Sequence, residues 1–274
     1  MKRNIALVAV LSLAVAGMAF GQIKAKDGVY FAADEAFGSS GWKEEVVVTV
    51  KGGKIVAANW NGVSNIAGAA DKKSYDAAGK YNMVKFGKAI AEWSAQAKAA
   101  EDYLVKTQDP AFKQYKDAEG HTDAISGATI HVKPFFDLVN KALSSPAVPK
   151  GIYAKDGWYY AEQPAFDTNS GWKDSVLVTV VNGSLVDVLW NGSYKDGTKK
   201  SKLVEDLAGK YGMEKAAKKG AWNVQAAAVQ AAILKAQDPS KIPLKADGTT
   251  DAISGASIHP TAVGLAIQAL KAAR

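Results

Sequence analysis

The chain of 274 residues carries 34 Lys plus Arg against 27 Asp plus Glu, a formal net charge of +7, and 48% of it is hydrophobic. That balance excludes a disordered or low-complexity chain, and the length predicts two domains. Cysteine is absent and histidine occurs only at 121, 131 and 259, which excludes disulfide frameworks, thiolate zinc, iron–sulfur clusters, cysteine nucleophiles and histidine-rich metal sites.

The first residues read as an address. Lys2 and Arg3 precede an apolar run over 5–20, and Ala19-Phe20-Gly21 puts small residues at a cleavage site before Gln22. A secretory signal peptide over 1–21 is expected, hence an exported protein, periplasmic or extracellular. The run is short for a membrane span, so no transmembrane span is expected in the mature chain. Mature arginine is limited to Arg274. Arginine dominates base-edge readout, so nucleic acid is not an expected partner.

A strand is predicted over 28–33, then a hairpin whose strands 46–50 and 55–60 flank Gly52-Gly53. Two adjacent residues that accept positive φ are what a two-residue hairpin turn requires. Alanine-rich sequence predicts one long helix over about 84–107, stopped by Asp109-Pro110, and a shorter helix over 134–143. Residues 145–150, with two prolines, read as a stiff linker. The order then repeats: a strand at 158–162, a hairpin of 176–181 and 185–190 around Asn182-Gly183, a helix over 214–236 before Asp238-Pro239, and a last helix over 260–273.

The repetition is literal in places. Gly41-Trp42-Lys43 returns as Gly171-Trp172-Lys173, Trp60-Asn61-Gly62 as Trp190-Asn191-Gly192, and Ala78-Gly79-Lys80-Tyr81 as Ala208-Gly209-Lys210-Tyr211. So long a period is a duplicated domain, not a solenoid repeat. Two α+β units are expected, 22–144 and 151–274, each an antiparallel sheet with a hairpin packed against helices.

The longest near-identity is Asp123-Ala124-Ile125-Ser126-Gly127-Ala128-Thr129-Ile130-His131 against Asp251-Ala252-Ile253-Ser254-Gly255-Ala256-Ser257-Ile258-His259. The two differ only by Thr129 against Ser257, which keeps the hydroxyl. A helix-capping loop accounts for the residue types. It does not account for a loop that stays the same while the helices after it diverge. A hydroxyl beside a helix start can carry a phosphate ester, with free N–H groups and the helix dipole favouring the charge.

Asp-x-x-Ser-Gly-Ala-Thr resembles the flavinylation motif of FMN-binding domains, found in the flavin subunits of Rnf and sodium-pumping NADH:quinone reductase complexes and in secreted electron-transfer flavoproteins. In that family a flavin transferase uses FAD to attach FMN, through its phosphate, to the final Thr. The resemblance implies two tandem FMN-binding domains carrying one or two covalent FMN groups, on Thr129 and on its counterpart Ser257. It further implies that Ser126, Gly127, Ala128 and Ser254, Gly255, Ala256 line the phosphate, and that Asp123 and Asp251 organise the acceptor loop. Ala124 and Ala252 stand where members often have Gly, and Ser257 replaces the usual Thr.

Other contacts are less defined by sequence. Trp42, Trp172, Trp60 and Trp190 could cover an isoalloxazine ring or belong to the core. Asn61 and Asn191 could bond the ring edge or shape turns. Trp93 and Trp222 read as packing, and His131 and His259 as phosphate contacts or exposed residues of a first helical turn. Asp251, Ser254 and His259 are too crowded along the chain for a hydrolytic triad. The implied function is an exported electron carrier rather than an enzyme, with unidentified redox donors and acceptors. The alternative is a secreted binding or surface-interaction module without redox turnover.

Overall fold

The computed structural model describes residues 23–215, 217 and 219–274. The signal-peptide reading lies outside them. Among the described residues no helix is long and apolar enough to cross a membrane.

Three antiparallel strands open the chain: β1 (Gly28–Ala33), β2 (Trp42–Lys51) and β3 (Lys54–Ser64), in the order β1-β2-β3. Both hairpin glycines take positive φ, +60° at Gly52 and +69° at Gly53, and Asp27 accepts both of their N–H groups. Alternation along β2 sends Val46, Val48 and Val50 to one face, where they are buried with Trp60 of β3. Helices α3 (Trp93–Thr107) and α4 (Lys133–Leu143) cover that face through Ala97, Leu104, Phe135 and Val139. The second half repeats this with β4 (Gly157–Glu162), β5 (Trp172–Val181), β6 (Ser184–Tyr194), α6 (Trp222–Ala236) and α7 (Thr261–Ala269). The chain is therefore α+β, with two antiparallel three-stranded sheets packed against helices.

The single long helix expected in each half is broken. In the first, a short α2 (Met83–Gly87) ends where Lys88 turns to φ +51°, and α3 begins only at Trp93. Glu92 occupies the gap, its carboxylate taking the N–H groups of Met83 and Val84 at 2.7 and 3.2 Å. In the second, a 3₁₀ turn at Met213–Lys215 precedes Gly220 (φ +85°) and α6. Alanine-rich composition hid both breaks. Two short helices were not expected: α1 (Lys72–Ala77), capped by Asp71, and α5 (Lys202–Leu207), capped by Ser201. Both place residues of the site.

The outer faces of the two sheets meet. Val63 packs with Leu177 and Leu189, and the fully buried Glu45 accepts bonds from Trp158 Nε1 (2.6 Å) and Thr179 Oγ1 (3.0 Å). Lys43 pairs with Asp187 at 2.5 Å beside them. The linker is tied down as well, with Val148 N–H on Val29 O and Ser184 Oγ on Pro149 O.

Candidate functional site

Thr129 and Ser257 occupy equivalent exposed positions, and neither caps a helix. α4 starts at Lys133 with Val132 as N-cap and α7 at Thr261 with Pro260, and no side chain caps either. The helix-capping alternative thus does not apply to these hydroxyls, which lie upstream of the helices. What holds it is the amide of a buried glutamine. Gln96 Oε1 accepts Thr129 N–H (2.7 Å), Ile130 N–H (3.2 Å) and the Thr129 hydroxyl (3.0 Å), while its Nε2 donates to Ala91 O. Gln225 does the same for Ser257, at 2.7 Å to N–H and 3.1 Å to the hydroxyl.

The rest of the loop serves this geometry. Gly127 and Gly255 take φ +87° and +89°, a left-handed conformation that only glycine adopts without penalty. Asp123 and Asp251 are exposed and paired with Lys116 (2.9 Å) and Lys245 (2.7 Å). Ser126 and Ser254 are exposed, whereas Ala128 is buried and Ala256 partly so.

Beside Thr129 opens a cleft of about 360 Å³ lined by Glu44, Trp60, Lys72, Tyr81, Met83, Trp93, His121, Ile130 and His131. Its counterpart of about 250 Å³ is lined by Asp174, Trp190, Lys202, Tyr211, Met213, Trp222, Ile258 and His259. Both volumes sit near the lower bound typical of small-molecule sites. Trp60 meets Trp93 edge-on at 5.3 Å and Trp190 meets Trp222 edge-on at 5.2 Å, so the tryptophan pair is arranged alike in both clefts. Lys72 lies 4.2 Å from the Trp93 ring and 2.5 Å from Glu44, and Lys202 lies 5.0 Å from the Trp222 ring and 2.8 Å from Asp174. Burial raises the Glu44 carboxyl and lowers the Lys72 ammonium, each partly opposed by the other's charge. Burial, with the Glu44 and Asp76 charges, pushes the Tyr81 phenol to about 12.

Several sequence candidates fall elsewhere. Trp60 and Trp190 line the clefts while being almost wholly buried, so they serve cleft and core at once. Trp42 and Trp172 do not line them and stand behind, against Tyr81 and Tyr211. Asn61 is buried with its oxygen on Gly62 and Lys73 N–H and its amide on Asp71. Asn191 bonds Leu203 N–H and, across the halves, Asn65 O. Both asparagines order the short helices α1 and α5 rather than the clefts. His131 and His259 are cleft residues, and in the first half His121 packs 4.1 Å from His131.

Sequence reasoning missed Gln96 and Gln225, Lys72 and Lys202, Glu44 and Asp174, and took Trp93 and Trp222 for packing alone. A signal existed, because Trp-x-x-Gln recurs at 93–96 and 222–225 and a buried lysine opens each short helix.

The clefts carry unmet hydrogen-bonding capacity. Trp60 Nε1, Glu44 Oε2 and Trp190 Nε1 are buried without a partner among the described residues. Such groups suit a flat heteroaromatic ligand with edge donors and acceptors. The model of the FMN-binding domain matches residues 41–144, which span the first cleft and Thr129. The chain carries an FMN-binding domain over residues 41–144. A solution structure of a Clostridium thermocellum protein is 53% identical, covering 43% of this chain and 89% of that one at a TM-score of 0.35. A crystal structure of a Clostridium perfringens protein is 24% identical, covering 43% and 86% at a TM-score of 0.32. No curated protein matches. The match supports FMN as the cofactor of this domain, and the aromatic walls and unpaired polar atoms fit its ring.

Proposed function

We propose that the chain is an exported electron carrier that holds FMN covalently, through phosphoester bonds, on Thr129 and Ser257. It comprises two tandem FMN-binding domains, 22–144 and 151–274, joined by 145–150, and is the substrate of a flavin transferase rather than an enzyme. The observation that carries this reading is one arrangement present twice: an exposed hydroxyl, oriented by a buried amide, next to a cleft with aromatic walls and a lysine–carboxylate pair, with Thr129 itself lining the first cleft and the neighbours of Ser257 lining the second. Nothing in a non-redox binding module calls for the hydroxyl to be so held in both halves.

Bound FMN supplies the one- and two-electron chemistry, and the chain supplies position, water exclusion and local field. Gln96 Oε1 accepts the hydroxyl proton of the exposed Thr129, which a transferase can reach. Transfer from FAD would form the Thr129 oxygen–phosphorus bond and break the pyrophosphate, with AMP leaving and the hydroxyl proton passing to a base of the transferase or to water. The esterified oxygen would have no proton to donate, while Gln96 would keep both backbone N–H bonds. Trp60, Trp93 and Tyr81 would shield the ring from water, and covalent attachment would keep a cofactor from being lost outside the cytoplasm.

The test is absorbance of protein produced with a transferase and an export signal. Flavin bands that stay with the chain after denaturation support the reading. Flavin released on denaturation contradicts the covalent bond, and a colourless native protein contradicts the carrier.

A further inference from the structure

We propose that the two sites are unequal, with the Thr129 flavin held at a more negative midpoint potential than the Ser257 flavin, through Glu44. This rests on the two-flavin reading above. The clefts share their tryptophans, tyrosine, lysine and trailing histidine, so a difference must come from the positions that do not match, two of which bear directly on the lysine–carboxylate pair. The first is the carboxylate that pairs with the buried lysine: Glu44 in one cleft, Asp174 in the other. The second is the residue at the head of the following helix, Lys133 against Thr261.

These two differences act together. Thr261 donates its hydroxyl to Asp174 Oδ2 while Lys202 holds Oδ1 at 2.8 Å, so both oxygens are committed. Lys133 instead pairs with Asp137 on its own helix. Glu44 therefore has Lys72 on Oε1 at 2.5 Å, while its buried Oε2 faces the Trp60 indole N–H without forming a full hydrogen bond to it. Its side chain is also one methylene longer, at the wall of the larger cleft. A carboxylate oxygen with a free lone pair suits the imide N–H of an isoalloxazine. Reduction adds electron density to that ring, and an uncommitted carboxylate opposes the added charge, whereas the Asp174 charge is spread over two donors. His121, present only in the first cleft, is tied to Asp117 at 2.6 Å and adds no counter-charge that this carboxylate does not already hold.

The test is spectroelectrochemical titration of the full chain in single-flavin forms. Ser257→Ala reports the Thr129 flavin, and Thr129→Ala reports the Ser257 flavin. The first should titrate at the more negative midpoint. Glu44→Gln in the Ser257→Ala background should move it upward, and Thr261→Val in the Thr129→Ala background should move the second downward. Circular dichroism checks that each variant folds; should Glu44→Gln not fold, the Thr261→Val arm decides. Equal or reversed midpoints, or a folded Glu44→Gln or Thr261→Val protein with an unmoved midpoint, overturn the inference. Intact mass taken beforehand separates the two levels: a chain without flavin fails the function proposed above, one loaded on Thr129 alone removes the inequality, and a doubly loaded chain with reversed potentials fails this inference alone.

Discussion

Gln96→Ala perturbs the site while leaving the Thr129 hydroxyl in place. Gln96 is fully buried, and its amide makes four hydrogen bonds, to Thr129 N–H, Ile130 N–H, the Thr129 hydroxyl and Ala91 O. The hydroxyl is exposed and finds water once the amide is gone. The two N–H groups and the carbonyl are partly buried, and losing each such bond costs about 0.5–1.5 kcal/mol. With the small cavity added, destabilisation should be about 2–5 kcal/mol. At about 2–4 °C per kcal/mol for a chain of this size, the thermal midpoint should fall by roughly 4–20 °C. Flavin on Thr129 should drop with it, because the 129–130 loop loses its anchor. Ser257 has its own Gln225 and should keep its flavin, an internal control within one molecule. The assay is a melt together with peptide mass spectrometry across 123–133 and 251–261. An unchanged melt and normal Thr129 occupancy would refute the positioning role assigned to this amide.

Further outcomes are expected elsewhere. Gly127→Ala forces φ +87° on a residue with a Cβ and should cost about 1–2 kcal/mol, read by urea titration; no loss means the loop can relax. Glu45 is buried between the sheets with its carboxyl raised well above the ordinary 4.5, first by burial and then by Asp187. The folded chain thus holds a proton that the unfolded chain releases above 4.5, so this contribution is full below that pH and fades as pH rises through the window above it. Glu45→Gln should remove it, so the stability difference between wild type and variant should change with pH between about 4 and 8; a constant difference argues against a raised carboxyl. Separating the halves exposes Val63, Leu177, Leu189 and Glu45, so fragments 22–146 and 150–274 should each melt cooperatively but below the joined chain. A fragment melting as high as the whole would show that the sheet interface adds nothing.

Much of the architecture was legible because its signals are local. Gly52-Gly53 and Asn182-Gly183 have the positive φ their chemistry invites, and β1 spans the residues expected. Helix interruptions were less legible, since Met83 and Lys85 before Lys88 and the alanines from Ala89 onward all suit a helix, and only Gly87 and Glu92 mark the break. The two hydroxyls proposed as acceptors stood out through repetition of the loop. Their partners did not, because a buried glutamine in an alanine-rich helix looks like any solvated helix residue until the fold turns it inward. Lys72 shows the same limit: a lysine in a charged run reads as surface, yet Trp93, Tyr81 and Glu44 enclose it. Asn61 and Asn191 show the reverse, as repetition marked them for a shared structural task, accepting a first-turn N–H of the short helix after the hairpin, which sequence does not separate from a ligand contact.

The central claim is that two specific oxygens carry FMN. Peptide mass spectrometry of the exported protein from its own host, across 123–133 and 251–261, tests it most directly. The account predicts the FMN mass as a phosphoester on Thr129 and on Ser257, with Thr129→Ala removing one flavin and the double change with Ser257→Ala removing both from folded protein. Covalent flavin on any other residue, or retained by the folded double variant, would contradict it.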